Sequence, residues 1–381
     1  MIIKRIRKIN SFVDIHNDTV LKLFLYKYSL QDGHKNLDID RAKVLEANRS
    51  LNLISGNSQS DNNSQVAALF FAACTFPVSE QEASFGLFRQ MMLCLNSEIK
   101  NNNDIFELAY SYKDYERIRA KGKTSVFTAI EGAYCITEPK HIEEVYDFGV
   151  RLITLTHNSS TNWAGSCVSF DGLSTLGVEM VKLMNARGII IDLAHTSDQT
   201  IYDVAKITKK PIVFSHGGVR AISKSIRSLD DDVIKAVADT GGIIGVTFYP
   251  AQLVELKGNN KETFSVFIEK RDKIFDDKTL SPFDKLKLYN DLSFFEFPVP
   301  DAIPGLEAIF SNIDYIINLV GEDHVAIGSD LDGIRYSCKG LENISKVGKL
   351  IEIMQASGYS EARINKVMGN NALRILSEVL G

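Results

Sequence analysis

The chain has 381 residues, 45% hydrophobic and 24% charged, an ordinary soluble globular composition with enough apolar material for a large core. A net charge of −5 and a pI near 5.9 weigh against a nucleic acid or an anionic membrane surface as partner. No run of about 18 apolar residues is available to span a bilayer, and no apolar stretch follows the basic cluster Lys4, Arg5, Arg7 and Lys8 to make a leader.

Five cysteines (Cys74, Cys94, Cys135, Cys167 and Cys338) are scattered without a CxxC pair. That suggests neither a disulfide framework nor a thiolate zinc site, and suits buried free thiols in the cytoplasm.

Short β-branched runs alternate with amphipathic stretches, the pattern of a parallel α/β fold. In chain order, strands are expected at 11–15, 67–75, 125–131, 151–157, 189–195, 211–216, 242–249 and 324–330. Runs such as Ile189-Ile190-Ile191 are apolar throughout, as in strands buried on both faces. Eight such strands predict one (β/α)8 TIM-barrel domain over 1–381.

Residues 48–65, rich in Asn, Ser, Gln and Asp, read as a surface loop. Ser79-Glu80-Gln81-Glu82 is a capping box opening a helix toward Lys100. Leu176, Met180, Leu183 and Met184 share a helix face that stops at Gly188. Further helices are expected at 197–208, 230–240, 306–320, 345–356 and 360–379. Residues 251–304, charged and bearing Pro282, Pro298, Pro300 and Pro304, read as an insertion after strand seven that could act as a lid.

The strand ends carry the functional argument. Strand one runs into Asp14-Ile15-His16-Asn17-Asp18. Later strands end on Glu131, His157, His195, His216 and Asp330. In a barrel all C-terminal strand ends face one mouth, where such folds keep their chemistry. A lone buried histidine is usually a satisfied core residue. Four of the seven histidines gathered at strand ends, with carboxylates, are a different matter.

Imidazole nitrogen and carboxylate oxygen are zinc donors. His16 and Asp18, two apart on an extended segment, share a face. Three histidines and two carboxylates suffice for two ions with a shared bridge, and Glu131 is the natural bridging carboxylate. Two such ions hold a bridging hydroxide able to attack an amide. Asp330, beside strand one when the barrel closes, is placed to move a proton to the leaving amine, with Asp332 the competing choice. His157 is placed to donate to a developing oxyanion.

With these residues assembled, the sequence resembles the renal (membrane) dipeptidase family, peptidase family M19 of the amidohydrolase superfamily. The resemblance rests on Asp14-Ile-His-Asn-Asp18, Ile130-Glu-Gly132, Leu152-Ile-Thr-Leu-Thr-His157, Ile191-Asp-Leu-Ala-His195, Ile212-Val-Phe-Ser-His216, Ile327-Gly-Ser-Asp-Leu-Asp-Gly333 and Gly369-Asn-Asn-Ala-Leu-Arg374. It implies two Zn2+ ions, one on His16, Asp18 and Glu131 and the other on Glu131, His195 and His216.

It further implies that His157 binds the substrate carbonyl, that Asp330 is the acid–base, and that Arg227 clamps the substrate carboxylate bidentately. Tyr249 is expected to line the pocket. Family habit implies a homodimer. The expected activity is hydrolysis of small dipeptides, including those with a D-residue at the C-terminal position. The alternative is a binuclear hydrolase of another small amide or ester: an N-acyl amino acid, a lactone or a cysteinylglycine conjugate. A barrel that binds without turnover is a third reading. His34, His141 and His324 match no ligand position and read as structural or surface residues; Trp163 could wall the pocket or simply pack.

Overall fold

A computed structural model describes residues 11–31, 33–55, 64–77, 81–256, 261–295 and 299–381. The basic cluster near the start, Ser79 and Glu80 of the capping box, part of the 48–65 stretch and Pro298 lie outside the described residues.

Among the described residues nine parallel strands form: β1 (Phe12–Asn17), β2 (Val66–Cys74), β3 (Phe106–Leu108), β4 (Thr124–Glu131), β5 (Val150–Thr154), β6 (Ile190–Asp192), β7 (Val213–Gly217), β8 (Ile243–Val246) and β9 (Val325–Ile327). The ring β1-β2-β4-β5-β6-β7-β8-β9 closes where β9 pairs with β1 through Asp14 and Ile327. This is the expected eight-stranded barrel. The ninth strand, β3, is an unexpected addition beside Thr124–Val126 of β4.

All nine residues of β2 are buried, as are all eight of β4. With both faces covered, the strands need no polar alternation. Side chains of one parity, among them Val13, Phe70, Phe127, Leu152, Ile190, Val213 and Ile243, fill the barrel interior. The other parity, including Leu69, Val126, Ile153, Ile191 and Ile244, packs against the surrounding helices.

Five strands stop short of their expected C-terminal ends: β2 at Cys74, β5 at Thr154, β6 at Asp192, β8 at Val246 and β9 at Ile327. The missing residues have left the ladder to form the mouth. The polar stretch 48–65 is corrected over its first part. A helix runs from Arg41 to Ile54, with Asp40 capping it by accepting from the Lys43 N–H. Val44, Ala47 and Leu51 form its buried stripe, and the Asn and Ser residues that suggested a loop occupy its other faces. The expected 360–379 helix is interrupted at 366–370 by a wider, π-type turn. The 251–304 insertion supplies helices Pro250–Leu253, Lys261–Asp276 and Pro282–Phe295, which reach over the mouth.

Candidate metal centre and active site

Two bulges and two left-handed turns bring the polar side chains together. Asp14 pairs with Leu69 and Asn17 with Phe71, so β1 holds one residue more than β2 across that interval. Likewise β7 fits one extra residue between Phe214 and Gly217. Such bulges re-aim side chains at barrel rims. They release His16 and His216 into the mouth, with ring centroids 3.9 Å apart. His16 and Asp18, two apart as expected for side chains on one face, approach to 3.8 Å between Nε2 and Oδ2.

Glu131 is the last residue of β4. His195 and Asp330 follow β6 and β9 with φ of 66° and 63°, conformations that few non-glycine residues adopt. Buried carboxylates brace these turns from below. Asp192 accepts from Ser215 N–H at 2.8 Å and Ser215 Oγ at 2.6 Å, and Asp14 accepts from Ser329 N–H at 2.7 Å and Ser329 Oγ at 2.6 Å.

Glu131 is the hub. Its Oε1 lies 3.0 Å from His195 Nε2 and 3.5 Å from Nε2 of both His16 and His216. His16 Nε2 is also 3.8 Å from Asp18 Oδ2 and 4.0 Å from Asp330 Oδ1. Two overlapping groups have cation-holding geometry here, His16–Glu131–His216 and His16–Asp18–Asp330, and a third is Cys74–Glu131–His157. Each expected ligand, with Asp330 and His157, is thus brought to one place.

The electrostatics show a cluster short of positive charge. Burial, then the Asp18 charge, pushes Glu131 up to about 8, and the same two causes push Asp330 up to about 7. Burial alone would lower His16, but Glu131, Asp18 and Asp330 outweigh it and push it up to about 10. His195 and His216 are driven well below the usual range by burial and by neighbouring cations. Both nitrogens of His16 and Oδ1 of Asp18 are buried with no hydrogen-bond partner. Buried polar atoms rarely stay unsatisfied. Lone pairs of imidazole and carboxylate converging on one point fit divalent cations.

A cavity of about 1330 Å3 opens above this cluster. His157 and Tyr249 line it, as does Arg227, which is buried with its Nη2 2.9 Å from His216 Nε2 and its Nε without a partner. Asp332 is otherwise engaged: it accepts from Thr19 Oγ1 at 2.7 Å and from the Asp38 N–H at 2.7 Å, so its carboxylate serves to tie chain segments together. Trp163 is fully buried and does not line the cavity; it packs. His34 stacks on Tyr28, His141 contacts Thr137, and His324 meets the Gly242 carbonyl, all away from the mouth.

Sequence reasoning missed three residues. Cys74 closes β2 and stands in the Glu131 cluster; its place at a strand end was the available signal, but its sulfur was read only as core. Asn158 and Tyr289 touch His195 and His157 respectively. No sequence spacing links a loop after β5 to a helix of the insertion.

A sequence model of the membrane dipeptidase family, peptidase family M19, matches residues 2–380. An uncharacterised dipeptidase of Schizosaccharomyces pombe is 29% identical over 284 residues, covering 72% of this chain; the match spans 58% of that protein's length. The probable dipeptidase PvdM from Pseudomonas aeruginosa has a similar structure, with a TM-score of 0.78, 22% identity and coverage of 97% of this chain and 96% of that one. A metallo peptidase from Rhodobacter sphaeroides, crystallised with a phosphinate mimic of the dipeptide L-Ala-D-Ala, gives a TM-score of 0.76 at 19% identity, covering 98% of this chain and all of that one. Among the described residues no helix is long and apolar enough to cross a membrane.

Proposed function

The chain belongs to the membrane dipeptidase family, peptidase family M19, and from that premise we propose that it is a zinc-dependent metallo-dipeptidase hydrolysing the peptide bond of small dipeptides. The observation that carries this reading is the Glu131 hub, one carboxylate oxygen within 3.5 Å of three imidazole nitrogens. His16, Asp18 and Glu131 would hold one ion, and Glu131, His195 and His216 a second, with Glu131 as bridge. Nitrogen and oxygen donors without thiolate in this set suit zinc. When bound, the ions supply Lewis-acid polarisation of the amide carbonyl and acidification of water.

The remaining steps belong to the chain's own residues. Arg227 binds the free C-terminal carboxylate of the substrate with its planar fork. His157 donates to the carbonyl oxygen as negative charge builds there. Asp330, beside the His16–Asp18 pair, accepts a proton from the attacking water and delivers it to the leaving amine. We include substrates with a D-residue at the C-terminal position, the class mimicked by the phosphinate on the R. sphaeroides protein. Five unpaired cysteines support the cytoplasm as the place of action.

One observation favours a broader second reading. The cavity, about 1330 Å3, exceeds the range of roughly 300–1,000 Å3 usual for small-ligand pockets. That leaves room for an N-acyl amino acid or a conjugate on the N-terminal side of the scissile bond.

The test is metal analysis of the purified protein alongside hydrolysis of an L,L and L,D dipeptide panel, with and without chelator. Two equivalents of zinc, and activity lost on chelation, are expected. Full activity with fewer than two equivalents contradicts the bridged site. Bound metal with no turnover across the panel points to a barrel that binds only.

A further inference from the structure

A directional chain of hydrogen bonds leaves the metal cluster, passes through the insertion and returns to the cavity. His195 Nδ1 is 3.2 Å from Asn158 Oδ1. Asn158 Nδ2 donates to Tyr289 Oη at 3.1 Å. Tyr289 Oη in turn is 3.3 Å from His157 Nδ1. Tyr289 sits on the insertion helix Pro282–Phe295, 2% exposed, with its ring packed on Phe76 at 4.4 Å and Phe275 at 5.4 Å between centroids. Arg271, from the helix before it, holds the same loop by donating to the Asn158 carbonyl at 2.8 Å and to Ser159 Oγ at 2.6 Å.

We infer that Tyr289 is a positioning residue that fixes His157 in the tautomer carrying its hydrogen on Nε2, so that the ring presents a donor to the substrate carbonyl. The inference rests on the metal-bound reading above. Once His195 gives its Nε2 lone pair to a cation, its hydrogen must be on Nδ1, and that N–H donates to Asn158 Oδ1. The amide is thereby oriented. A flipped Asn158 would set an NH2 against an N–H.

Its Nδ2 then donates to the phenol oxygen, which leaves the phenol hydrogen to be placed. The acceptor within reach is His157 Nδ1, and an unplaced buried O–H is costly. A neutral imidazole accepting at Nδ1 has its hydrogen on Nε2. One ligand histidine thus dictates, through three side chains, which way a second histidine on the cavity wall faces its proton.

The experiment uses the zinc-loaded full chain labelled with 15N at histidine, the His157 signals being assigned by their loss in His157→Asn. In the wild type, His157 should show a bare, hydrogen-bonded Nδ1 and a protonated Nε2. Tyr289→Phe keeps the ring packing and removes the hydroxyl; Nδ1 should then move toward the free-nitrogen position or exchange tautomers. For dipeptide hydrolysis the same variant should lower kcat roughly three- to tenfold, the effect of one hydrogen bond, with KM nearly unchanged. Asn158→Ala, which cuts the chain on its other side, should shift the same nitrogen.

A hydrogen on Nδ1 in the wild type, or unchanged nitrogen signals in both variants, overturns the inference. Failure of the proposed function appears separately, as absence of dipeptide hydrolysis by the wild type. The nitrogen signals need no substrate.

Discussion

His195 Nε2 and Glu131 Oε1 stand 3.0 Å apart, although one follows β6 and the other ends β4. The same carboxylate oxygen faces His16 and His216 at 3.5 Å, so one side chain joins both halves of the cluster. Glu131→Gln keeps the shape but replaces the proposed anionic bridge by a neutral amide, half of which is a donor. Bound zinc should fall from two equivalents to one or fewer. Activity should fall by more than the roughly 10–100-fold typical of changes around the ligands. Metal analysis and kcat/KM on one sample decide this; two retained equivalents would remove Glu131 from its bridging role.

Arg227 separates substrates that carry a C-terminal carboxylate (dipeptides, N-acyl amino acids and conjugates) from those that lack one. It is buried, lines the cavity, and has an Nε without a protein partner. Hydrogen bonds to a charged group contribute about 1.5–3 kcal/mol. Arg227→Ala should therefore raise KM for dipeptides by roughly 10–100-fold while changing kcat less. A lactone or an ester lacking the carboxylate should be hardly affected. Equal losses on both substrate types would show that Arg227 supports the site in another way, through its contact with His216.

The barrel and its mouth were legible because they depend on local pattern. An unbroken apolar run such as Val66–Cys74 has one common explanation in an alternating α/β chain, and polar residues at such ends must meet once the barrel closes. What escaped were features set by tertiary context. The bulges that turn His16 and His216 inward are invisible without the partner strand's register. The helix Arg41–Ile54 was hidden because its outer faces carry Asn and Ser, which report solvent exposure as readily as a loop. Tyr289 joins His157 across 132 positions, and no periodicity spans that distance.

Asp38 gives a pH-dependent prediction away from the Glu131 cluster. It is pushed up to about 6, first by burial and then by the neighbouring Asp332 carboxylate, which Lys22 offsets only in part. A carboxyl whose pKa is higher folded than unfolded (near 3.9) holds more proton in the folded state. Stability must therefore decline as pH rises from about 4 to about 6, and the loss persists above that window. Asp38→Asn removes the charge and keeps an acceptor for the Asp332 N–H, 3.0 Å away. The variant should be more stable than wild type by about 1–3 kcal/mol at pH 7 and nearly equal to it at pH 4. Denaturant melts at the two pH values test the sign; a gain that is the same at both would refute the assignment.

Two glycines beside the cluster should fail in opposite ways when given a methyl group. A Cβ at Gly333 would lie 2.0 Å from Asp18 Oδ2 and 2.8 Å from Asp330 Oδ1, yet the backbone there does not need glycine's positive φ. The carboxylates can swing aside at little cost to the fold, but not without leaving the positions from which Asp18 would bind and Asp330 would move its proton. Gly333→Ala should therefore melt within about 1 kcal/mol of wild type while losing affinity for one zinc ion by roughly 10–100-fold. Gly132 differs: its φ is +70°, and a Cβ would meet Tyr134 at 2.8 Å and His157 Cβ at 2.9 Å. Gly132→Ala should cost about 1–2 kcal/mol from the left-handed backbone alone, with further loss from displaced rings, and lower kcat through His157. Paired melts and zinc titrations separate the two variants. If Gly333→Ala kept both metal equivalents at wild-type affinity, Asp18 would not be a ligand.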